Sequence, residues 1–576
     1  MDKDLSLQSN PFLTRAYRYV VTPSGLYYLL ALLVAVLTLY PVGTLVVASF
    51  FTGRPGMLGE VTLRGYQELL TIEGLWPVLL NSVIYSSILL CIGLAVALLF
   101  AWAVARTDVP FRGVMEVLIP IPFFTPDLLT GLSWVMLANP HNGLLNQWAT
   151  RYLGYDGILF NIFGWGGLFF HSSFSAIALM FLLLIGFFYT MDPAYEEASV
   201  LSGAGKYLTV FTVTLPMMAP GILGASILQF IRGLEAFENP LLFGSPAGIY
   251  VFSNEIYRMV NYRFPPQYDT ATALCVFLIT ITFLLIYVQW RVIGPRQFTT
   301  VTGKGYRPSR IKLPPAVGWT IFVLFTVYFL LAIVVPTFQI IASSFFKVFG
   351  IWNLDHLTLD NWREVLGEQR VMVGLRNTIV YSTLAGVGVV ILSGLIGYVR
   401  VRTRHWLGRA MELLAWLPWT IPGIVLSLAL LWSAAIPPPP FALYGTTSII
   451  VIGFIINALP LGTRTIQSAI MQVGQELEES ARVHGASWLR TAGCILVPLL
   501  RLGITATFVL VFALSARNLT IPILLYGPGQ QTLTIAMLLY IEEGLYTTLS
   551  VAAVIQLAIV VGILVLERVT RPRSEE

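Results

Sequence analysis

The sequence predicts an all-α, polytopic membrane protein of about 12 transmembrane helices, written as two parallel six-helix repeats. Three observations predict it. First, of 576 residues 56% are hydrophobic and only 11% are charged, against about 25% charged in a soluble domain. The mean hydropathy is +0.78. Second, twelve apolar runs approach the roughly 20 residues that a helix needs to cross the hydrocarbon core. Third, the second half of the chain repeats the first. Charge this sparse cannot cover a soluble protein, so a soluble enzyme, a disordered chain, a fibre and a secreted disulfide scaffold are excluded. The three cysteines, Cys91, Cys275 and Cys494, and the five scattered histidines form no disulfide framework and no metal-ligand spacing. No metal site is assigned.

The elements follow in order. Residues 1–25 are mixed polar and read as a cytoplasmic N-terminal segment rather than a cleavable signal, because the first apolar run is followed by many others. The first half, 26–293 with its core at 77–290, holds runs at 26–50, 81–105, 114–138, 168–190, 217–238 and 270–292. The basic, Gly- and Pro-containing stretch 294–315 is a cytoplasmic linker. The second half, 316–568 with its core at 373–568, holds runs at 317–345, 377–399, 411–433, 447–470, 499–522 and 549–567. A cytoplasmic tail, 569–576, ends the chain. Prolines interrupt the third and ninth runs, and the fifth and eleventh carry charges.

An even number of spans puts both termini on one side. With both cytoplasmic, 23 of the 34 Lys and Arg fall in inside segments, 9 in outside loops and 2 within spans. That asymmetry sets the orientation, and it accounts for the net charge of +5 without any nucleic acid.

The repeat is visible residue by residue. Asn81-Ser-Val-Ile-Tyr-Ser matches Asn377-Thr-Ile-Val-Tyr-Ser, and Pro122 and Pro126 match Pro418 and Pro422, all at an offset of 296. Further on the offset is 282: Glu197 matches Glu479, Gly203 matches Gly485, Pro216 matches Pro498 and Pro240 matches Pro522. The difference falls in the first half's longer loop near 139–167. Six spans per repeat make the halves parallel, related by an axis along the membrane normal.

The most informative segment lies between the fourth and fifth spans. It reads Glu197-Ala198-Ser199, three residues, Gly203, nine residues, Val213, then Leu215-Pro216. The second half reads Glu479-Ser480-Ala481, three residues, Gly485, nine residues, Ile495, then Val497-Pro498. Acidic residues suit the positive end of a short helix. A glycine takes the positive φ that ends that helix. Proline then opens the next helix, where its missing N–H costs little. One copy is also what an ordinary helical loop looks like; two copies at one spacing on the same face are not.

This pattern resembles the "EAA" loop of type I ABC importer permeases, the binding-protein-dependent transport components of the inner membrane. The resemblance covers about 77–290 and 373–568. It departs mildly: Ser199 and Ser480 stand for alanines, Val213 for isoleucine and Val497 for leucine. It implies that Glu197, Ala198, Gly203 and Pro216, with Glu479, Ala481, Gly485 and Pro498, form two coupling surfaces. It also implies a homodimer of ATP-binding subunits docked on the two cytoplasmic loops, a substrate-binding protein on the outer face, and a place in the bacterial inner membrane among lipid. The chain itself has no phosphate-binding GxxxxGK[ST] loop, since Gly205-Lys206 is followed by Tyr207 and Gly303-Lys304 by Gly305. The expectation is therefore a transport subunit, not an enzyme, that binds no cofactor, with ATP and Mg held by the partner. The resemblance further implies alternating access, with the coupling helices moving the halves.

Two halves fused in one chain resemble the ferric-iron subgroup of these permeases. Leu234-Glu-Ala-Phe-Glu-Asn-Pro240, Gly248-Ile-Tyr-Val-Phe252 and Thr302-Gly-Lys-Gly-Tyr-Arg-Pro308 support that, less specifically than the loop motif. Fused permeases for thiamine and aminoethylphosphonate are similar, so they stand as alternatives, as does another small solute. An ion-coupled secondary transporter also has parallel halves, but it has no need of two matched loops.

Ionisable residues within spans are pathway or gate candidates. Glu235 and Arg517 are repeat-equivalent; either they pair at the interface of the halves, or they sit in water at the ends of their helices. Asp127, behind Pro126, either faces a cavity and meets a cation or caps a broken span. Its counterpart is Gly423. Arg232 and Asn518 are further candidates. Pro437 to Pro440 form a rigid outer turn, either a binding-protein contact or a spacer.

Overall fold

The computed structural model describes residues 23–71, 75–192, 194–293, 311–351, 354–403, 405–435 and 443–570. Most of the N-terminal segment and of the 294–315 linker, the prolines at 437–440 and the end of the tail lie outside the described residues. Among the described residues the chain is helical, and β structure is limited to isolated bridges. Among the described residues nine helices are long and apolar enough to cross a membrane, and three sharply bent helix pairs bring the number of spans to as many as twelve.

The first half begins with α1 (Pro23–Ala48), the short amphipathic α2 (Arg64–Thr71) and the long α3 (Leu75–Arg106). A bent pair follows, Arg112–Phe124 and α4 (Asp127–Ala138). Then come α5 (Trp165–Thr190), α6 (Ala194–Leu201), α7 (Leu215–Glu235), α8 (Phe252–Asn261) and α9 (Tyr268–Ile293). The second half supplies α10 (Pro315–Phe329, running on through a π turn to Ser344), α11 (Asp360–Gly367) and α12 (Gln369–Arg402). Its own bent pair is Trp406–Thr420 and α13 (Gly423–Ala435). It closes with α14 (Thr447–Gln472), α15 (Glu476–Val483), α16 (Arg501–Ala516), α17 (Leu533–Glu542) and α18 (Tyr546–Thr570).

The proline-interrupted runs are sharper breaks than the apolar patterns 114–138 and 411–433 suggest. The first turns by 89° and the second by 110°. The residue before each proline carries the turn. Thr125, before Pro126, has φ −76° and ψ 142°, and Ile421, before Pro422, has φ −111° and ψ 119°. Proline's Cδ excludes the helical region for its predecessor, so two helices meet at a corner instead of continuing. The run 499–522 is also divided. Residues Trp488–Leu499 and Arg501–Ala516 meet at 73° across Leu500, which has φ −85° and ψ 2°.

The helices form two compact units that cut across the sequence repeat. One comprises residues 1–62, 369–536 and 555–576, and the other residues 63–368 and 537–554. The first span of each half thus belongs with the core helices of the other half. In the first unit Leu30 and Val34 of α1 pack with Ile396 and Val399 of α12, Leu407, Met411 and Leu459. In the second unit α10 is held by polar bonds to backbone. The Tyr328 hydroxyl donates to the carbonyls of Ile119 (3.0 Å) and Phe174 (3.2 Å), and Ser133 Oγ donates to the carbonyl of Pro336 at 2.8 Å. Between apolar helices in lipid there is little hydrophobic drive, so close packing and such hydrogen bonds decide who pairs with whom. Within the first unit α14 seats on α12 at Gly462, where a Cβ would stand 2.3 Å from Val389 Cγ1.

Candidate functional site

Two repeat-equivalent loops form the clearest site. In each, a helix of 8 residues follows a long span: α6 after α5, and α15 after α14. Acidic residues occupy the first turn of both, Glu196 and Glu197 in one and Glu476, Glu478 and Glu479 in the other. Both helices end at a glycine of positive φ, +92° at Gly203 and +80° at Gly485. The closing hydrogen bonds are the same. The N–H of Gly203 donates to Val200 O at 3.0 Å and that of Ala204 to Ser199 O at 3.1 Å. Gly485 donates to Arg482 O at 2.9 Å and Ala486 to Ala481 O at 3.0 Å. This is the six-to-one, five-to-two ending of a helix whose next residue is left-handed.

The chain then makes a short helical turn and a π turn in both copies, Val210–Thr214 and Ala492–Leu496. Pro216 lies in the first turn of α7, and Pro498 in the short helix Val497–Leu499 ahead of the 73° corner.

The outward surface of each loop helix is the one the spacing singles out. Glu197, Ala198, Gly203, Glu479 and Gly485 are exposed, as are Pro216 and Pro498, and Ala481 is half-buried. Large apolar side chains stand beside them: Leu201 is 88% exposed and Val483, its repeat equivalent, 84%. Apolar groups this open beside acid and glycine make a surface suited to a protein partner.

The inner surface holds residues that sequence reasoning missed. Glu196 and Glu478, one position before the expected acids, are buried. Each faces the arginine that ends a long span. Arg402 Nε donates to Glu478 Oε1 at 2.7 Å, and Arg106 Nη1 lies 3.8 Å from Glu196 Oε2. Each arginine also donates from Nη2, at 2.6 Å, to the carbonyl that closes the preceding span, Met191 for Arg106 and Val473 for Arg402. The remaining carboxylate capacity is filled differently. Thr214 Oγ1 donates to Glu196 Oε1 at 2.7 Å, and the Tyr398 hydroxyl donates to Glu478 Oε2 at 3.2 Å. The available signal was the repeat itself: Arg106 and Arg402 differ by the same 296 as the other early matches.

A second group of polar residues lies within the unit that contains the first half's core. Asp127 opens α4, and its Oδ1 accepts from Ser175 Oγ at 2.6 Å. The next N–H, of Leu128, donates to Glu238 Oε2 at 3.1 Å. His171 Nε2 stands 3.0 Å from Thr130 Oγ1, and the Tyr85 hydroxyl donates to Ser172 Oγ at 2.8 Å. Glu235, the last residue of α7, is held by Arg232 at 3.4 Å. Arg517 caps the end of α16 at the equivalent position and belongs to the other compact unit. Asn518 turns back on its own loop, its Oδ1 accepting from the N–H of Ile521 at 2.9 Å. Among the described residues no three His, Cys, Asp or Glu side chains converge as a metal site.

Comparison with known proteins places the chain in a family. Residues 93–298 and 389–571 each match the family model described as binding-protein-dependent transport system inner membrane component. A ferric transport system permease protein, FbpB, of Actinobacillus pleuropneumoniae is 25% identical over 89% of this chain and 73% of its own length. A putative ferric transport system permease protein of Haemophilus influenzae is 25% identical over 84% of this chain and 74% of its own. The molybdenum transport system permease protein ModB of Escherichia coli is 25% identical over 37% of this chain but 92% of its own, so it aligns as a single half.

Proposed function

The chain belongs to the binding-protein-dependent transport system inner membrane components, and from that premise we propose that it carries ferric iron across the membrane in an ATP-driven importer. It is a multi-pass inner-membrane permease of the ABC importer type, with the family's segment present twice. Permeases of this kind work with an ATP-binding subunit and a substrate-binding protein.

The observation that carries the reading is the pair of matched loops. Two short helices with acidic first turns, the same glycine ending and the same exposed apolar residue offer one docking surface per ATPase subunit. In the proposal Glu197, Ala198, Gly203 and Pro216 contact one ATP-binding subunit, and Glu479, Ala481, Gly485 and Pro498 contact the other. ATP and Mg are bound and hydrolysed by that partner dimer. Both termini and both loops face the cytoplasm, where the positive charge of the chain is concentrated. Substrate arrives from a binding protein outside and moves by alternating access, the ATPase shifting a two-state equilibrium of this chain.

Ferric iron is supported by the relatives named for ferric transport, which match nearly the whole two-half chain. The acids of the first half, Asp127, Glu235 and Glu238, suit a cationic cargo. The test is uptake of radiolabelled ferric iron by cells with and without this chain, with labelled thiamine and aminoethylphosphonate in parallel. Loss of iron uptake alone supports the proposal. Loss of another solute with iron unchanged rejects the iron reading and keeps the importer.

A further inference from the structure

Each of these two arginines draws together three separate pieces of chain. Arg106 is the last residue of α3, Met191 caps α5, and Glu196 lies in the first turn of α6. Arg402 is the last residue of α12, Val473 caps α14, and Glu478 lies in the first turn of α15. The guanidinium is planar and presents its donors as a rigid fork. One branch takes a carbonyl and another faces a carboxylate, so the fork fixes direction as well as distance. An ammonium would supply charge without that alignment.

A buried ion pair is seldom needed for stability alone, since well-packed apolar residues of similar volume do as well. Here the same pair is built in each half although its neighbours differ: Thr214 completes the carboxylate in one and Tyr398 in the other. The arginine, the carbonyl and the acid all keep repeat-equivalent positions while the supporting bonds change. What the halves share is the mechanical connection between the loop helix and the long span.

We propose that Arg106 and Arg402 are positioning residues that lock each loop helix to its long span, so that a displacement delivered to the loop helix turns the span as one body with it. The proposal rests on the reading that an ATPase docks on the loop helices. Without the joint, the loop helix would hinge at its connection to the preceding span and the displacement would be lost there.

The test uses the whole importer, this chain with its ATPase and binding protein, in lipid nanodiscs. The exposed cysteines, Cys91 and Cys494, are replaced by serine, and the buried Cys275 is kept. Spin labels are placed through Leu477→Cys on the loop helix and Leu384→Cys on α12, both exposed positions of one compact unit and outside the proposed docking residues. In this parent the inter-label distance stays the same, with one narrow distribution, in the nucleotide-free and vanadate-trapped states. In Arg402→Gln the distribution broadens and shifts with nucleotide. The ferric iron moved per ATP hydrolysed falls about tenfold, the scale of one lost charge-assisted bond, while the ATPase stays bound and active. Arg402→Lys, which keeps charge but not the fork, falls between. Should Arg402→Gln fail to accumulate, Glu478→Gln carries the same expectation.

A parent distance that itself changes with nucleotide overturns the joint. So does an Arg402→Gln importer with parental iron moved per ATP. A parent chain that does not retain the ATPase overturns the functional reading, and the joint's role with it. Arg106→Gln, with labels through Tyr195→Cys and Leu80→Cys, repeats the test in the other unit.

Discussion

Arg402 and Glu478 meet at 2.7 Å with side chains 9% and 4% exposed, whereas their repeat equivalents Arg106 and Glu196 stand 3.8 Å apart. The second joint is a formed hydrogen bond and the first an ion pair only. Removing one partner of a buried pair strands the other charge and costs about 3–5 kcal/mol, while removing both is far milder. Glu478→Leu should therefore lower the thermal midpoint of the purified chain more than Glu196→Leu does. Adding Arg402→Met to Glu478→Leu should recover most of the loss. Scanning fluorimetry in detergent reads both. Equal midpoints for the two single variants would mean that the difference in geometry has no energetic weight.

The glycine endings give a second prediction. Gly203 and Gly485 adopt positive φ, and a Cβ on either would meet nothing within 4 Å. The penalty is then one of backbone conformation, about 1–2 kcal/mol at each site, not of steric clash. Gly203→Asp and Gly485→Asp should leave the spans folded and the chain at parental abundance, yet set a charged side chain at the end of the loop helix and remove uptake. Asparagine tolerates the left-handed region better, so Gly485→Asn should retain more uptake than Gly485→Val. Parental uptake in both aspartate variants would remove the loops from the coupling role.

The exposed apolar residues give a third. Leu201 and Val483, 88% and 84% exposed, lie one turn beyond the acids on equivalent loop helices. If they fill pockets on an ATP-binding subunit, Leu201→Asp and Val483→Asp should each weaken co-purification of the ATPase, and together abolish it. Truncation of a buried interface anchor costs about 2 kcal/mol or more, some thirtyfold in affinity. Undiminished co-purification of the double variant would place the docking surface elsewhere.

These loops were legible in the sequence because their signals are local: an acid, a glycine and a proline at one spacing, stated twice. The joints beneath them were not. Arg106 and Arg402 look like any inside-facing charge at the end of a span, and only the fold shows that each reaches a carboxylate far along the chain. The exchange of first spans was hidden for a different reason. Hydropathy says that α1 and α10 cross the membrane, but lipid and protein neighbours are equally apolar, so periodicity does not name the partner. The proline corners were visible as interruptions, although their angle depends on Thr125 and Ile421 taking extended conformations. Asp127 stands out from its place behind Pro126, whereas nothing local in 234–240 marks its neighbour Glu238, which the Leu128 N–H reaches only in the fold.

The acids of the first half give the last prediction. Asp127 is half-buried, and Ser175 Oγ satisfies one of its carboxylate oxygens at 2.6 Å. Asp127→Asn keeps the shape and leaves an amide oxygen for Ser175, so it removes charge with little change in packing. In an importer for a trivalent cation, lost attraction within a low-dielectric path should lower uptake of radiolabelled ferric iron by about tenfold, the equivalent of roughly 1.4 kcal/mol. Glu238→Gln should act in the same direction, because its carboxylate sits at the same corner, on the Leu128 N–H. The second half cannot substitute for them. The counterpart of Asp127 is Gly423, where a Cβ would stand 2.4 Å from Thr520 Oγ1, the residue equivalent to Glu238. Gly423→Asp should therefore disturb that corner and not restore uptake to Asp127→Asn. Parental iron uptake by Asp127→Asn and Glu238→Gln together would show that the charge of the first half takes no part in selecting the cargo.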